Sequence, residues 1–315
     1  MKTECFVGID TSNYTTSAAV CMREGELIAN IKAPLPVGEG ECGLRQSDAV
    51  FAHVKNLPVV MEQLREVLRD KHVLAVGVSS RPRTAEESYM PCFLAGVAAA
   101  RSLAAACDAP VYFFSHQDGH IVAAAHSCGH GDALLAAPFG AFHVSGGTTE
   151  MLYVRPDGVG ISVEQIGGTA DLNAGQAIDR VGVMMGLRFP CGAQMEALAK
   201  DYKGDIPTPR VCVRDGVCNL SGLQNLAEKL WKEHKDPAMV SAFVLSFLGR
   251  TLERMTEDLD KRFDDLPVVY AGGVMSNRYL QERLGRRSNT YFAEPQLSAD
   301  NAAGIALLCR RTFLE

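Results

Sequence analysis

Phe6-Val7-Gly8-Ile9-Asp10-Thr11-Ser12-Asn13-Tyr14-Thr15-Thr16-Ser17-Ala18-Ala19-Val20-Cys21 sets an apolar run, a polar turn and a second apolar run in succession. Phe6 to Ile9 reads as a buried strand, Asp10 to Thr16 as the turn and Ser17 to Cys21 as the returning strand. The pattern recurs further on: Phe139 to Val144, the turn Ser145-Gly146-Gly147-Thr148-Thr149, then Glu150 to Val154. Two such hairpins in one chain predict two related halves, an internally duplicated α/β protein.

Between the hairpins the spacing predicts an amphipathic helix through Leu57, Val60, Met61, Leu64 and Leu68, with Pro58 in its first turn. A strand at Val73 to Val78, an alanine-rich helix at Leu94 to Ala106 and a strand at Pro110 to Phe114 follow. The second half reads as a helix at Asn173 to Met185, a looser stretch from Cys191 to Asn225, and a long helix near Ala238 to Phe263. A strand at Pro267 to Tyr270 then enters Gly272-Gly273 and another helix. The expected division is 1–110 for the first domain and 111–299 for the second, which holds the metal and nucleotide candidates. A last helix, 300–315, is expected to pack back on the first domain through Ile305, Leu307 and Leu308.

At 315 residues the chain exceeds one ordinary core. With 47% hydrophobic and 22% charged residues it reads as a globular protein. The longest apolar stretch, Met90 to Ala106, is interrupted by Arg101 and too short to span a bilayer; no signal-peptide pattern opens the chain, so a cytoplasmic protein without membrane contact is expected. Ten cysteines without a Cys-x-x-Cys pair fit reduced thiols rather than a disulfide framework or zinc ribbon. A net charge of −6 excludes a protein that coats nucleic acid through overall charge, leaving a local patch or a basic partner as routes to RNA.

His116-Gln117-Asp118-Gly119-His120 places two imidazoles one turn apart on a helix that continues through Ile121 to Ala125, so both can reach one metal ion. A merely exposed or satisfied pair is the plain alternative for such spacing. A second pair, His126 and His130 around Cys128, is interrupted by Gly129 and reads as a connecting loop, with a rival metal site as its other reading. The hairpin turns offer backbone N–H groups suited to phosphate oxygens; Gly146 and Gly147 admit close approach, and Ser145, Thr148 and Thr149 add hydroxyls. Ala271 to Asn277 follows a strand and opens a helix, bringing N–H donors and Asn277 toward a ligand. Asp171, Gly175 and Asp179 recur at intervals of four, which predicts one helix face with Asp179 placed to accept from ribose hydroxyls.

Taken in order, the first hairpin, His116-x3-His120, Val144-Ser-Gly-Gly-Thr148, Gly168-Thr-x-Asp171 through Asp179-Arg180, Pro190-Cys-Gly192, Asn219-Leu-Ser-Gly-Leu223, Ala271-Gly-Gly-Val-x-x-Asn277 and Ala299-Asp-Asn301 resemble the TsaD family. These are the tRNA threonylcarbamoyladenosine transferases, once called O-sialoglycoprotein endopeptidases or glycoproteases. The resemblance covers nearly the whole chain. It implies the actin, sugar-kinase and heat-shock-protein fold, with two ribonuclease-H-like domains around a nucleotide cleft. It puts His116, His120 and Asp300 on the iron or zinc ligands. Val144, Ser145, Gly146, Gly147 and Thr148 fall on the substrate-phosphate loop, and Asp179, Gly192 and Asn277 on nucleotide contacts. Asp10 and Thr15 stand as catalytic candidates. The implied donor is threonylcarbamoyl-adenylate and the acceptor the adenosine beside the anticodon of tRNA. The implied partners are accessory subunits of the same fold and a small ATPase, in a heterodimer or homodimer.

The departures from the family pattern mark a divergent paralogue. An acidic pair in the first turn becomes Tyr14-Thr15, and a Gly-Pro-Gly loop becomes the longer, charged Arg81 to Ser88. Gly-His-Thr becomes Gly147-Thr148-Thr149, Gly-Glu-Ala becomes Gly175-Gln176-Ala177, and a lysine becomes Gln224. Three other readings stay open at this stage: a non-catalytic nucleotide-binding scaffold, a carbamoyltransferase with a different acceptor, as in HypF-type enzymes, and a peptidase. The peptidase lacks the glutamate that a His-Glu-x-x-His zinc site needs.

Overall fold

A computed structural model describes residues 2–12, 14–36, 44–85, 87–298 and 302–315. Contacts divide the chain into two compact units, one of Met1–Ala136, Pro156–Ser162 and Gln296–Glu315, the other of Ala137–Arg155 and Val163–Pro295.

In the first unit, strands β1 (Thr3–Ser12), β2 (Thr15–Met22), β3 (Leu27–Pro34), β4 (Lys71–Arg81) and β5 (Val111–Ser115) form one sheet in the order β3-β2-β1-β4-β5. β1 pairs antiparallel with β2, setting Phe6 opposite Cys21 and Ile9 opposite Ala18, and parallel with β4. Helices α1 (Gln46–Leu68) and α2 (Phe93–Cys107) cover one face, where Val7, Ile9 and Val20 meet Val60, Leu64 and Ala100. A central strand covered on both faces reads as continuous apolar sequence, which is why Phe6 to Ile9 shows no alternation. Helices α3 (His116–Ser127) and α4 (Gly131–Leu135) complete the run from β5.

Two expectations change here. The first unit runs to Ala136 rather than ending at residue 110, because β5 pairs with β4 and α3 follows it directly; His116 and His120 therefore belong to this unit. Pro58 lies inside α1 rather than in its first turn, since the helix already begins at Gln46. The missing N–H removes one bond, and the buried stripe Ala49, His53, Val60 and Leu64 carries the helix past it.

The second unit contains β6 (Phe139–Val144), β7 (Thr149–Asp157), β8 (Gly160–Thr169), β9 (Cys212–Arg214), β10 (Val217–Asn219), β11 (Val268–Ala271) and β12 (Thr290–Phe292), ordered β12-β11-β6-β7-β8-β10-β9. Removing β9 and β10 leaves β8-β7-β6-β11-β12, the same order as the first sheet read by position in each unit. β6 and β7 pair antiparallel as β1 and β2 do, and β11 runs parallel to β6 as β4 does to β1. The duplication inferred from the two hairpins is thus a duplication of topology. Helices α5 (Ala174–Met184), α6 (Gly192–Asp201), α7 (Ser221–His234), α8 (Pro237–Arg262) and α9 (Arg278–Leu284) pack around a core that includes Phe142, Met151, Ile178, Leu248 and Tyr270.

After the short α10 (Pro295–Ser298), α11 (Ala303–Leu314) packs on β1, β2, β4 and α3 of the first unit. It reaches the backbone itself: a Cβ on Gly8 would stand 2.5 Å from Ala302 O, and one on Gly304 would overlap the Gly119 carbonyl. Among the described residues no helix is long and apolar enough to cross a membrane.

Candidate functional site

Ser115 ends β5 and caps α3. Its hydroxyl accepts from Asp118 N at 3.1 Å, and its own N–H donates to Asp118 Oδ2 at 3.3 Å. With the first turn fixed in this way, the rings of His116 and His120 meet edge to face with centroids 4.3 Å apart and their Nε2 atoms 2.9 Å apart. Nδ1 of His116 lies 3.0 Å from Asp10 Oδ1. Asp10 is fully buried in β1 and accepts from Ser79 Oγ of β4 and, at 3.3 Å, from Ser12 N. A carboxylate on Nδ1 turns the opposite ring nitrogen toward His120, the relation that orients metal-binding histidines.

Two imidazole nitrogens this close either share one proton or hold one cation. At metal–nitrogen distances of about 2.0–2.1 Å, a 2.9 Å separation corresponds to an angle of about 90° at the ion, so the pair fits a metal. Among the described residues no three His, Cys, Asp or Glu side chains surround a common point. Asp300, the third expected ligand, lies outside the described residues, as does Asn13 of the first turn.

Around the histidines the structure adds contacts that the sequence did not show. The Arg81 to Ser88 loop is tied to α3: Gln117 N donates to Pro82 O at 3.0 Å, and Thr84 Oγ1 donates to Asp118 Oδ2 at 3.1 Å. Burial pushes the Asp118 carboxyl above its usual range, against the hydrogen bonds from Ser115 and Thr84. Tyr14 is half-exposed at the hairpin turn and Thr15 opens β2 opposite Ser12. His126 and Ser127 form the last turn of α3 rather than a loop, and Gly129, at φ +74°, ends the run.

His53 of α1 is fully buried beneath this hairpin, with Nδ1 2.8 Å from Thr16 Oγ1. Its place seven residues before Val60, on the same stripe, was the signal available in the sequence. Burial lowers its pKa, so the folded state holds it neutral. A group whose folded pKa is depressed contributes stability above its unfolded pKa, about 6.5 for histidine, and loses it as pH falls below that value. Urea unfolding of His53→Gln against the parent should show a deficit of about 1–2 kcal/mol at pH 7.5 that narrows at pH 5.5.

In the second unit the Ser145 to Thr149 turn is closed by Ser145 N donating to Thr148 O at 2.8 Å. Gly175 at the start of α5 presses on it, since a Cβ there would stand 2.6 Å from Gly146 Cα. Gly272, at φ +98°, lies as closely on Val144. On their outer sides Gly146, Gly147, Gly192 and Gly273 would meet nothing within 4 Å, which leaves main chain open to a ligand. A cavity of about 460 Å³ opens there, lined by Gly146, Asp179, Gly192 and Asn277 among others. Asp179 Oδ1 accepts from Cys191 N at 2.8 Å, ahead of α6. Asn277 Oδ1 accepts from Leu280 N at 3.1 Å and so caps α9 after a 3-10 turn at Gly273–Ser276.

Asp171 departs from the expected helix face. It precedes α5, and its carboxylate accepts from Leu220 N at 2.8 Å, from Ser221 N at 3.2 Å and from Ser221 Oγ at 2.6 Å, holding the start of α7. Desolvation raises its pKa, but the bonds from Ser221, Leu220 and Leu172 outweigh it and hold the carboxyl well below the usual range. Stability from such a group is present above about pH 3.9 and is lost as pH falls through the folded value. Asp171→Asn should cost about 1 kcal/mol at pH 7, discounted for its exposure, and the difference should shrink in acid below pH 4 when both are unfolded in urea.

The model of the family described as TsaD, tRNA N6-adenosine threonylcarbamoyltransferase, matches residues 47–307. A tRNA N6-adenosine threonylcarbamoyltransferase of Thermus thermophilus is 32% identical over 322 residues, covering 99% of this chain and 93% of that protein. One of Streptococcus sanguinis is 30% identical, covering 97% and 91%. Among solved structures, full-length HypF in its phosphate- and nucleotide-bound form superposes with a TM-score of 0.60 at 13% identity, covering 99% of this chain and 47% of HypF. Component A of the Acidaminococcus fermentans (R)-2-hydroxyglutaryl-CoA dehydratase gives 0.56 at 12%, covering 99% of both chains. A glucokinase of the ROK family from Streptomyces griseus gives 0.53 at 13%, covering 97% and 99%. At these identities the structures show the fold alone, the two-domain actin-like ATPase fold.

Proposed function

Because the chain belongs to the TsaD family of tRNA N6-adenosine threonylcarbamoyltransferases, we propose that it moves a threonylcarbamoyl group from threonylcarbamoyl-adenylate to the N6 amine of the adenosine beside the anticodon of tRNA. The observation that carries the reading is the pair of Nε2 atoms of His116 and His120, 2.9 Å apart, with His116 oriented by buried Asp10. A non-catalytic scaffold has no need of this arrangement.

His116, His120 and Asp300 would hold one iron or zinc ion, which supplies Lewis-acid polarisation of the carbamoyl carbonyl. Asp10 is a positioning residue that fixes the ring of His116. The Val144 to Thr148 turn holds the phosphate through main-chain N–H groups and the hydroxyls of Ser145 and Thr148. Asp179 keeps Oδ1 on Cys191 and accepts from ribose through its other oxygen; Asn277 keeps Oδ1 on its helix cap and donates to the nucleotide through Nδ2. In the transfer the amine nitrogen bonds to the carbonyl carbon, the bond from that carbon to the phosphate oxygen breaks, AMP departs and one amine proton is released. Thr15 stands at the hairpin turn as the candidate to meet the acceptor. Accessory subunits of the same fold, a small ATPase and a cytoplasmic setting complete the reading.

Purified protein supplied with iron or zinc should modify unmodified tRNA when given the adenylate, alone or with the family's accessory proteins. Transfer to small carbamoyl acceptors with tRNA untouched would assign the chain to a different acceptor.

A further inference from the structure

Phe189 is 74% exposed, the highest value for a large apolar side chain among the described residues, and it lines the mouth of the 460 Å³ cavity. Single exposed aromatics are common. Here the chain is pinned on both sides of the ring. Gln194 accepts from Arg188 N with Oε1 at 3.4 Å and donates to Arg188 O from Nε2 at 2.7 Å. Leu187 N donates to Gly182 O at 2.9 Å, and Cys191 N to Asp179 at 2.8 Å. The same aspartate that lines the cavity therefore anchors the segment that presents the ring.

The rest of the wall fits a flat heterocycle. Ile178 and Val274 provide apolar surface, and Gly146, Gly192 and Gly273 keep the main chain open. Polar groups come from Asp179, Glu196, Ser276 and Asn277. An aromatic ring on a pinned main chain beside apolar walls and polar groups is an arrangement on which a nucleobase stacks.

We propose that Phe189 is the stacking platform for the adenine ring of the bound mononucleotide. The inference rests on the nucleotide reading of this cavity and adds the residue that holds the face of the base. Its chemistry is aromatic: tryptophan and tyrosine at this position serve, whereas leucine, apolar and similar in bulk, does not.

The test is binding of AMP to the full chain by calorimetry, with parent, Phe189→Trp, Phe189→Tyr, Phe189→Leu and Phe189→Ala proteins of matched thermal stability. AMP should weaken about ten-fold in the leucine and alanine variants and keep its affinity in the tryptophan and tyrosine variants. Emission of the Phe189→Trp protein, corrected for Trp231 in the parent, should be quenched by AMP. Equal affinity of the leucine variant and the parent would overturn the stacking role while leaving the nucleotide site intact. A loss confined to an anticodon stem-loop RNA, with AMP unaffected, would assign the ring to the acceptor base and overturn the proposal. Failure of the parent to bind AMP would overturn both this inference and the nucleotide reading.

Discussion

Gly304→Ala is expected to lower the stability of the first unit by about 2–3 kcal/mol, the cost of overpacking where backbone meets backbone. The added methyl would overlap the carbonyl of Gly119 and stand 2.9 Å from its Cα, so no side-chain rotation relieves it. α11 must move off α3, and with it Ile305, which packs against the same glycine. The consequence reaches the chemistry, because Gly119 lies between His116 and His120 and α11 begins just after Asp300. Metal content should fall along with the denaturation midpoint. Gly222→Ala in α7, where an added Cβ meets nothing within 4 Å, should leave both unchanged when unfolding and metal analysis are run side by side.

The sequence made the duplication legible because each hairpin writes its strands as short apolar runs flanking a polar turn, a signal local to about fifteen residues. Strands β9, β10 and β12 are three residues long, with too little pattern to stand out from the loops around them. Asp171 was placed on a helix by its spacing from Asp179, yet its carboxylate answers N–H groups of Leu220 and Ser221 some fifty positions away. No period in sequence reports a partner that distant. The His116/His120 pair was visible through helical spacing; the Asp10 and Ser79 contacts that orient it were not, because adjacent strands bring them together through sheet pairing. The residues proposed to meet the nucleotide divide similarly: Asp179, Gly192 and Asn277 were picked out by motif order, whereas Phe189 stands out only when exposure and the Gln194 clamp are known.

His116→Ala is expected to abolish transfer, with a fall of at least about 10³ in rate, since it removes both a proposed metal ligand and the group that Asp10 orients. The fold should survive, because the ring is partly exposed and α3 keeps its capping box and the apolar packing of Ile121 to Ala125. Asp10→Asn separates positioning from ligation. It retains the shape of the side chain but removes the anion beside Nδ1, and metal affinity should drop about 10- to 100-fold, with activity recovering at high metal concentration. Titration of metal-free protein with zinc, followed by competition with a chelator, reads both variants; an Asp10→Asn protein with unchanged affinity would contradict the orienting role.

Mass spectrometry of nucleosides from unmodified tRNA incubated with threonylcarbamoyl-adenylate and the accessory proteins reads the transfer itself. The chain would be supplied metal-free, reloaded with iron or zinc, or as His116→Ala. Adenosine carrying the threonylcarbamoyl mass is expected only with the reloaded parent protein. No product from that protein, or undiminished product from His116→Ala, would contradict the proposed transfer.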